Sequence, residues 1–372
     1  DLYLLSMENQ FTFLVPTDDA FDNYIDPSSL ARGTAERWKF WFDPNSSTPA
    51  TPRATVYNAL TGDSMRVETG VSNIESHLND IMDNHIIVGS LESGKRFYET
   101  KGGSVIQIAS LPGDQIAVQG GGNIEKGETV RSLTGHRYQM GNGDTYFLEH
   151  VVQPATRSVY SVLNDSLMTD FEEFYNLCWE SHVYEYDKKK YGGPIFDRDP
   201  SAPGVDQNIK FFNTFNYTVY VPTNAAIKNA INTGVIKTWA DIDAMDDSEE
   251  KGQEVDKLYA FLRHHFQDNS VYISGAPVNN EYETAALNPD TKKFRKLKLE
   301  GNGSQLSVTP VIGKTLSGDN IYGTTVSVVT SNPQLYNIMV RDYKFNSGPA
   351  APTRITTSSF AVIHQIDGIL KY

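Results

Sequence analysis

The sequence contains one pattern twice: FTFLVPTDDAFDNYI at residues 11–25 and YTVYVPTNAAIKNAI at residues 217–231. They align without a gap, and their shared residues include a Pro-Thr pair with an alanine three positions after the threonine. In each stretch a run of β-forming residues stops at the proline, and residues that favour a helix N-cap come next. A strand that leads into a short helix is therefore predicted twice, at matching residues: Pro16, Thr17 and Ala20, then Pro222, Thr223 and Ala226.

A second repeated block is an amphipathic helix that ends at a histidine. In the first copy, Ser72 and Glu75 have the spacing of a capping box, and apolar residues recur at helical intervals as far as His85. In the second copy, a helix with the same pattern ends at His265. Both histidines close the apolar face of equivalent helices, so we expect them to be buried and hydrogen-bonded.

The third repeated block closes each copy with a strand. The segments YFLEHVV (146–152) and FAVIHQIDGIL (360–370) are strand-like, and we predict that His150 and His364 hold matching, buried positions in them. Three blocks in the same order indicate a duplicated domain. We place the first domain at residues 1–156 and the second at 157–372, because a new helical pattern begins soon after Pro154.

Strand candidates separated by Gly and Asn clusters lie between the helix and the closing strand of each copy. Each copy therefore combines helices in its first part with strands in its second part. This arrangement predicts the α+β class. The strands are expected at 105–109, 115–119, 296–299, 306–309 and 325–329.

These ordered blocks resemble the fasciclin domain family. Its members have a strand ending in Pro-Thr with an acidic or amide residue and Ala following, a helix ending in Tyr-His, and a closing strand of the Asn-Gly-Val-Ile-His-Val-Ile-Asp type. The matching residues are 11–21, His85 and His150 in the first copy, and 217–227, His265 and 362–370 in the second. The resemblance implies two fasciclin-like domains, each a twisted β-wedge or sandwich with helices from its N-terminal half, and a role in adhesion.

The chain departs from the family pattern in three respects. Ten residues precede Phe11, so the first copy is expected to lack the family's opening helices, which residues 158–179 are predicted to form in the second copy. Segments 26–54 and 184–207 are insertions that we interpret as exposed loops. The family's tyrosine before the helix-end histidine is replaced by Asn84 and His264, which argues against the integrin-type adhesion linked to that Tyr-His segment in animal relatives.

The amino-acid composition of the chain limits the classes of molecule that it is expected to bind. The chain of 372 residues has a net charge of −14 and no dense basic block, so nucleic acid is not an expected partner. Cys178 is the only cysteine, which excludes an intramolecular disulfide, and no apolar run is long enough to span a membrane. With the family resemblance, these features favour an exported protein at the cell surface of a bacterial envelope, a setting compatible with a lipid anchor upstream of Asp1.

The sequence has none of the catalytic signatures of a P-loop, a GxSxG or HExxH motif, or an EF-hand loop. Adjacent His264 and His265 point about 100° apart on a helix, so a shared metal ion is not expected. We therefore predict a non-enzymatic protein without cofactor, metal or catalytic residues, which recognises a glycan or protein through exposed loops. Two alternatives stay open: an envelope polysaccharide hydrolase with a carboxylate pair, and a structural spacer.

Overall fold

The computed structural model describes residues 10–31, 34–43, 45, 51–179, 195–196, 209–212, 216–274, 276–345 and 355–372. Helices and strands are both well represented, which confirms the α+β class. The described residues fall into two compact units, the first running to Thr156 and including 343–345 and 355–358, the second starting at Arg157. No helix in the described ranges is long and apolar enough to cross a membrane.

The first unit is built on a seven-stranded sheet. Its strands are β1 (Phe11–Pro16), β5 (Ile86–Val88), β6 (Phe97–Glu99), β7 (Val105–Ser110), β8 (Ile116–Gln119), β9 (Val130–Met140) and β10 (Gly143–Leu148). Their order is β5-β1-β10-β9-β8-β7-β6, with β1 parallel to β10 and antiparallel to β5. The helical elements are a 3₁₀-helix (Asp18–Asn23), α1 (Pro27–Ala31), α2 (Val71–Asp83) and α3 (Gly121–Glu125).

The described part of segment 26–54 is not the exposed loop that we predicted. It contributes to a second, antiparallel sheet of β2 (Glu36–Asp43), β3 (Thr51–Asn58) and β4 (Ser64–Glu68), in the order β2-β3-β4. Alternate residues of β2 face inward, as a strand requires, and buried Trp38 packs in one cluster with Val56 of β3 and Ile74 of α2. The Pro, Ser and Thr content of the segment concealed this alternation.

The capping box predicted at Ser72 and Glu75 is also wrong. Helix α2 begins at Val71, and Gly70 takes the N-cap position. The Gly70 carbonyl already accepts the N–H groups of Asn73 and Ile74, at 3.1 and 3.0 Å. Ser72 therefore lies inside the first turn, where its side chain cannot cap the helix.

The second unit contains a nine-stranded sheet, apart from residues 343–345 and 355–358 of its last two strands. Its strands are β11 (Tyr217–Pro222), β12 (Phe266–Asp268), β13 (Val278–Leu287), β14 (Phe294–Gly301), β15 (Leu306–Lys314), β16 (Asn320–Tyr322), β17 (Val326–Ser327), β18 (Ile338–Phe345) and β19 (Ile355–Ile366). The order is β16-β15-β14-β13-β12-β11-β19-β18, with β17 paired to β15. Its helices are α4 (Val159–Leu163), a 3₁₀-helix (Thr169–Phe171), α5 (Glu172–Trp179), α6 (Asn224–Asn232), α7 (Trp239–Asp243) and α8 (Ser248–His264).

The predicted strands between helix and closing strand are present in both units as β7, β8, β14, β15 and β17. The insertion predicted at 184–207 lies outside the described residues, except for Ile195 and Phe196, which are buried. The opening helices predicted at 158–179 are present as short pieces, α4 and α5 with the 3₁₀-helix between them.

These helices cover one face of the central strand in the second unit. Phe174 of α5 belongs to the same core cluster as Val219 and Val221 of β11, and both valines are fully buried. The corresponding residues of the first unit, Phe13 and Val15, are only partly buried. The two units therefore have equivalent central strands, but different side chains pack on these strands.

Candidate functional site

The two units hold their central strand in the same register. Pro16 of β1 pairs with Leu148 of the parallel strand β10, and Pro222 of β11 pairs with Ile366 of β19. On the other side, β1 and β11 each pair antiparallel with the short strand that follows the long helix. The first two repeated sequence blocks thus occupy equivalent positions in the two units.

The repeated Pro-Thr stretch starts a helix differently in the two units. Thr223 is the N-cap of α6, and its hydroxyl accepts the N–H of Ala226 at 3.3 Å. Thr17 precedes a 3₁₀-helix instead, and its side chain makes no cap hydrogen bond, although its carbonyl accepts the N–H of buried Ala20. The prediction of a capped helix is confirmed for Thr223 and wrong for Thr17.

His85 links the end of α2 to the end of the first unit. Its Nδ1 donates to the carbonyl of Ile81, 2.7 Å away, one helical turn earlier. Its Nε2 accepts the main-chain N–H of Val152, beyond β10, at 2.9 Å. These two bonds join residues far apart in the sequence and fix one neutral tautomer of the ring.

His265 makes the same two bonds in the second unit. Its Nδ1 donates to the Phe261 carbonyl at 2.8 Å, and its Nε2 accepts the N–H of Leu370 at 3.2 Å. His85 and His265 are both buried, as we predicted. Burial lowers the pKa of each imidazole to about 4, with a smaller opposing effect from the carbonyl bond. Both rings are therefore neutral at physiological pH, with no nitrogen left to act as a base or a metal ligand.

The predicted equivalence of His150 and His364 is wrong. His364 lies in β19 opposite Tyr220 of β11, whereas the residue opposite Leu14 of β1 is Tyr146. Tyr146 therefore occupies the place of His364, and His150 lies beyond the end of β10, where it is exposed. The sequence alignment matched one histidine with another, but strand register shifts the correspondence by four residues.

His364 itself is buried, as predicted. Its Nε2 donates to the Val271 carbonyl at 2.8 Å, and its Nδ1 accepts the N–H of Asn337 at 3.3 Å. Burial lowers its pKa to about 4. Like His265, it is a neutral ring that joins separate main-chain segments.

His264 differs from its neighbour because one of its ring nitrogens has no partner. Its Nδ1 lies 3.2 Å from the Thr284 hydroxyl, whereas its Nε2 is buried without a hydrogen bond. Both nitrogens of His265 are already bonded, so the two side chains cannot share a metal ion. Within the described residues, no group of three or more His, Cys, Asp or Glu side chains could hold one.

Acidification is expected to destabilise the second unit more than the first. Burial lowers the folded-state pKa of His265 and His364 to about 4, and that of His264 well below 6.5. Between pH 6.5 and 4 the unfolded chain therefore binds protons that these folded rings exclude, which costs up to about 1.4 kcal/mol per pH unit for each histidine. In the first unit, the lowered pKa of His85 has the same destabilising effect on acidification. The pKa of His77 is raised instead, so protonation of His77 stabilises the first unit.

Hydrogen exchange followed by mass spectrometry at pH 7 and pH 5 reports the two units separately. The second unit should lose more protection on going to pH 5. Equal losses in both units would contradict this account of the buried histidines.

The three-stranded sheet presents one face away from the core of the first unit, which we call the outer sheet face. None of its side chains is buried, and the indole of Trp41 is 38% exposed. Alternation along the strands places on it Arg37, Lys39, Trp41 and Asp43 from β2, Thr51, Arg53, Thr55 and Tyr57 from β3, and Val67 from β4.

Two pairs of opposite residues on this face combine a guanidinium with an aromatic ring. Arg37 is opposite Tyr57, with its Cζ 5.1 Å from the ring centroid. Trp41 is opposite Arg53, and its Nε1 donates to the Thr55 hydroxyl at 3.1 Å. The indole is thereby held against the neighbouring strand.

A buried ion pair lies on the opposite side of this sheet. The Nε2 of His77 on α2 is 2.9 Å from the Asp26 carboxylate, and its Nδ1 is 2.8 Å from the Asn73 carbonyl. Both nitrogens face acceptors, an arrangement that an imidazolium with two N–H donors satisfies. Trp38 stacks on it with ring centroids 4.3 Å apart. Burial would lower the pKa of His77, but the bond and charge of Asp26 outweigh burial and raise it above 6.5.

A second pair extends this charged group towards the surface. The buried carboxylate of Glu36 accepts two bonds from Arg66, at 2.7 and 2.8 Å. The indole of Trp38 donates to the same carboxylate at 3.3 Å. Charge-assisted hydrogen bonds therefore join Glu36 of β2 to Arg66 of β4 within the sheet.

Sequence reasoning missed both the outer sheet face and the buried pair. Asp26 and His77 are 51 residues apart, and no motif connects them. The alternation of charged and aromatic residues from Glu36 to Asp43 was the one signal that could have revealed the sheet. Compared with models of known protein families and with curated proteins, the chain matches none.

Proposed function

We propose that this chain is a non-catalytic binding protein made of two fasciclin-type domains. The observation that carries the proposal is the shared junction at His85 and His265, where a neutral histidine joins the end of a helix to the end of the domain. What the two units have in common is a scaffold in which the His85 and His265 side chains form hydrogen bonds with main-chain groups. A repeated scaffold that presents different surfaces suits recognition of an extended partner.

The two units differ most in the chain that follows the central strand. In the first unit this chain builds the three-stranded sheet with its outer sheet face, and in the second it forms α6 and α7. We infer that recognition of a glycan or protein takes place at such unit-specific surfaces, not at the shared histidines. The setting we propose is the external face of a bacterial envelope.

The proposal is tested by incubating the intact chain with arrays of glycans and proteins, and by measuring product release from polysaccharides in parallel. We expect binding to one or more members without release of reducing ends. Release of reducing ends would support the hydrolase alternative. The absence of any ligand on broad arrays would favour a structural spacer.

A further inference from the structure

We propose that the outer sheet face binds an anionic polysaccharide, with sugar rings stacked on Trp41 and Tyr57 and their acidic groups paired with Arg53 and Arg37. This inference rests on the proposed binding function and assigns it a site and a class of ligand. The ligand chemistry is a pyranose chain that carries carboxylate or sulfate groups.

The first argument is the exposure of Trp41. An exposed tryptophan on a sheet surface offers an apolar ring face, against which the C–H face of a pyranose can pack. The bond from Trp41 to Thr55 holds the indole in one position before any ligand arrives. Less conformational entropy is then lost on binding.

The second argument is charge. Arg37 donates to the main-chain carbonyl of Asp22, and Arg53 donates to that of Pro52. Within the described residues, neither guanidinium has a carboxylate at ion-pair distance, although the whole chain has 46 acidic and 32 basic side chains. Lys39, between them, forms an exposed pair with Asp22 at 3.1 Å. Two guanidinium groups without a carboxylate partner among the described residues are complementary to carboxylate or sulfate groups of a ligand.

The third argument is spacing. The Arg37–Tyr57 pair and the Trp41–Arg53 pair are separated by four residues along β2, or about 13 Å at the rise of a β-strand. Each pair offers one ring and one cation, so the face repeats the same recognition chemistry along its length. A single sugar cannot reach both pairs, whereas an extended acidic chain can contact both at once.

A nucleic acid is the competing polyanion, and the observations favour the polysaccharide. Tight binding to nucleic acid relies on many phosphate contacts from basic side chains. The face offers only Arg37, Lys39 and Arg53, on a chain with a net charge of −14.

The experiment measures binding of the intact chain to a polyuronate, a sulfated polysaccharide, a neutral glucan and single-stranded DNA at low and moderate salt. We expect salt-sensitive binding to the polyuronate or the sulfated polysaccharide, and the stronger of the two identifies the acidic group. Affinity should fall by at least about tenfold in Trp41→Ala and in the double variant Arg37→Ala/Arg53→Ala. Trp41→Phe keeps an aromatic ring and should retain most of the affinity.

Matched controls come from the same unit. Arg96→Ala removes an exposed arginine that also lies beside an aromatic ring, with its Cζ 5.9 Å from the centroid of Phe97. Tyr138→Ala removes an aromatic side chain that is 49% exposed outside the outer sheet face. Both variants should bind like the unmodified chain. Thermal unfolding of every variant verifies that the fold is intact.

Three results would overturn the inference: no binding to either acidic polysaccharide, binding that the Trp41 and arginine variants leave unchanged, or equal binding to DNA. These results differ from a failure of the proposed function itself. If the arrays identify another ligand whose binding is insensitive to these variants, the binding function stands and this site is wrong. If the arrays identify no ligand, both fail.

Discussion

Replacement of His265 by alanine is expected to lower the free energy of unfolding of the second unit by about 2–5 kcal/mol. The variant leaves the Phe261 carbonyl and the Leu370 N–H buried without their shared partner, and it opens a cavity where the ring packed. For a unit of this size, the corresponding fall in melting temperature is on the order of 10 °C. Calorimetry of the intact chain measures it.

The matched control is His150→Ala, because the sequence predicted the same burial for His150 and the structure places it at the surface. We expect its melting temperature to stay close to that of the unmodified chain. Ligand binding by folded His265→Ala protein should persist. Full stability with loss of binding in His265→Ala would show that the histidine is a functional residue and that the scaffold interpretation is wrong.

Removal of the Asp26 carboxylate is expected to destabilise the first unit by about 3–5 kcal/mol, since it leaves His77 in a buried site without its counter-charge. Asp22→Ala is the matched control, because Asp22 also pairs with a cation, Lys39, but at an exposed position. That variant should have little effect. Hydrogen exchange in β2, β3 and α2 measures the loss of stability in both variants. Equal losses would contradict the conclusion that burial makes the Asp26–His77 pair the more important of the two.

The buried pair also predicts a pH dependence of the first unit. The folded-state pKa of His77 is raised above the value of 6.5 for an unfolded histidine, so the folded state binds the proton more tightly. The resulting stability is fully present below pH 6.5 and is lost as the pH rises through the raised pKa. The stability difference between the unmodified chain and Asp26→Ala should therefore shrink at alkaline pH. A difference that is constant from pH 6 to pH 10 would contradict an ionised pair.

The outer sheet face and the buried Asp26–His77 pair lie on opposite sides of the three-stranded sheet. Inward residues of β2, such as Trp38, pack against α2 and its histidine, and outward residues, such as Trp41, remain available to a ligand. Loss of the Asp26–His77 pair is therefore expected to destabilise the three-stranded sheet that carries the proposed ligand site. Trp41→Ala, in contrast, should alter binding without altering the pH dependence of stability.

Local sequence patterns were sufficient to predict the strand that ends at Pro16 and Pro222, and the burial of His85 and His265. These features follow from local patterns, because β-forming runs, proline stops and helical periodicity act within a few residues of one another. The strands β7, β8, β14 and β15 were predictable for the same reason.

Which residues correspond across the sheet, and which polar groups are in contact, depends on tertiary packing. Tyr146, not His150, takes the place of His364, because hydrogen-bond register between distant strands fixes that position and the sequence does not encode it locally. Asp26 meets His77 because the three-stranded sheet folds onto α2, which places a carboxylate and an imidazole in contact across 51 residues of chain. In both cases, packing between segments that are distant in the sequence determines which residues are in contact.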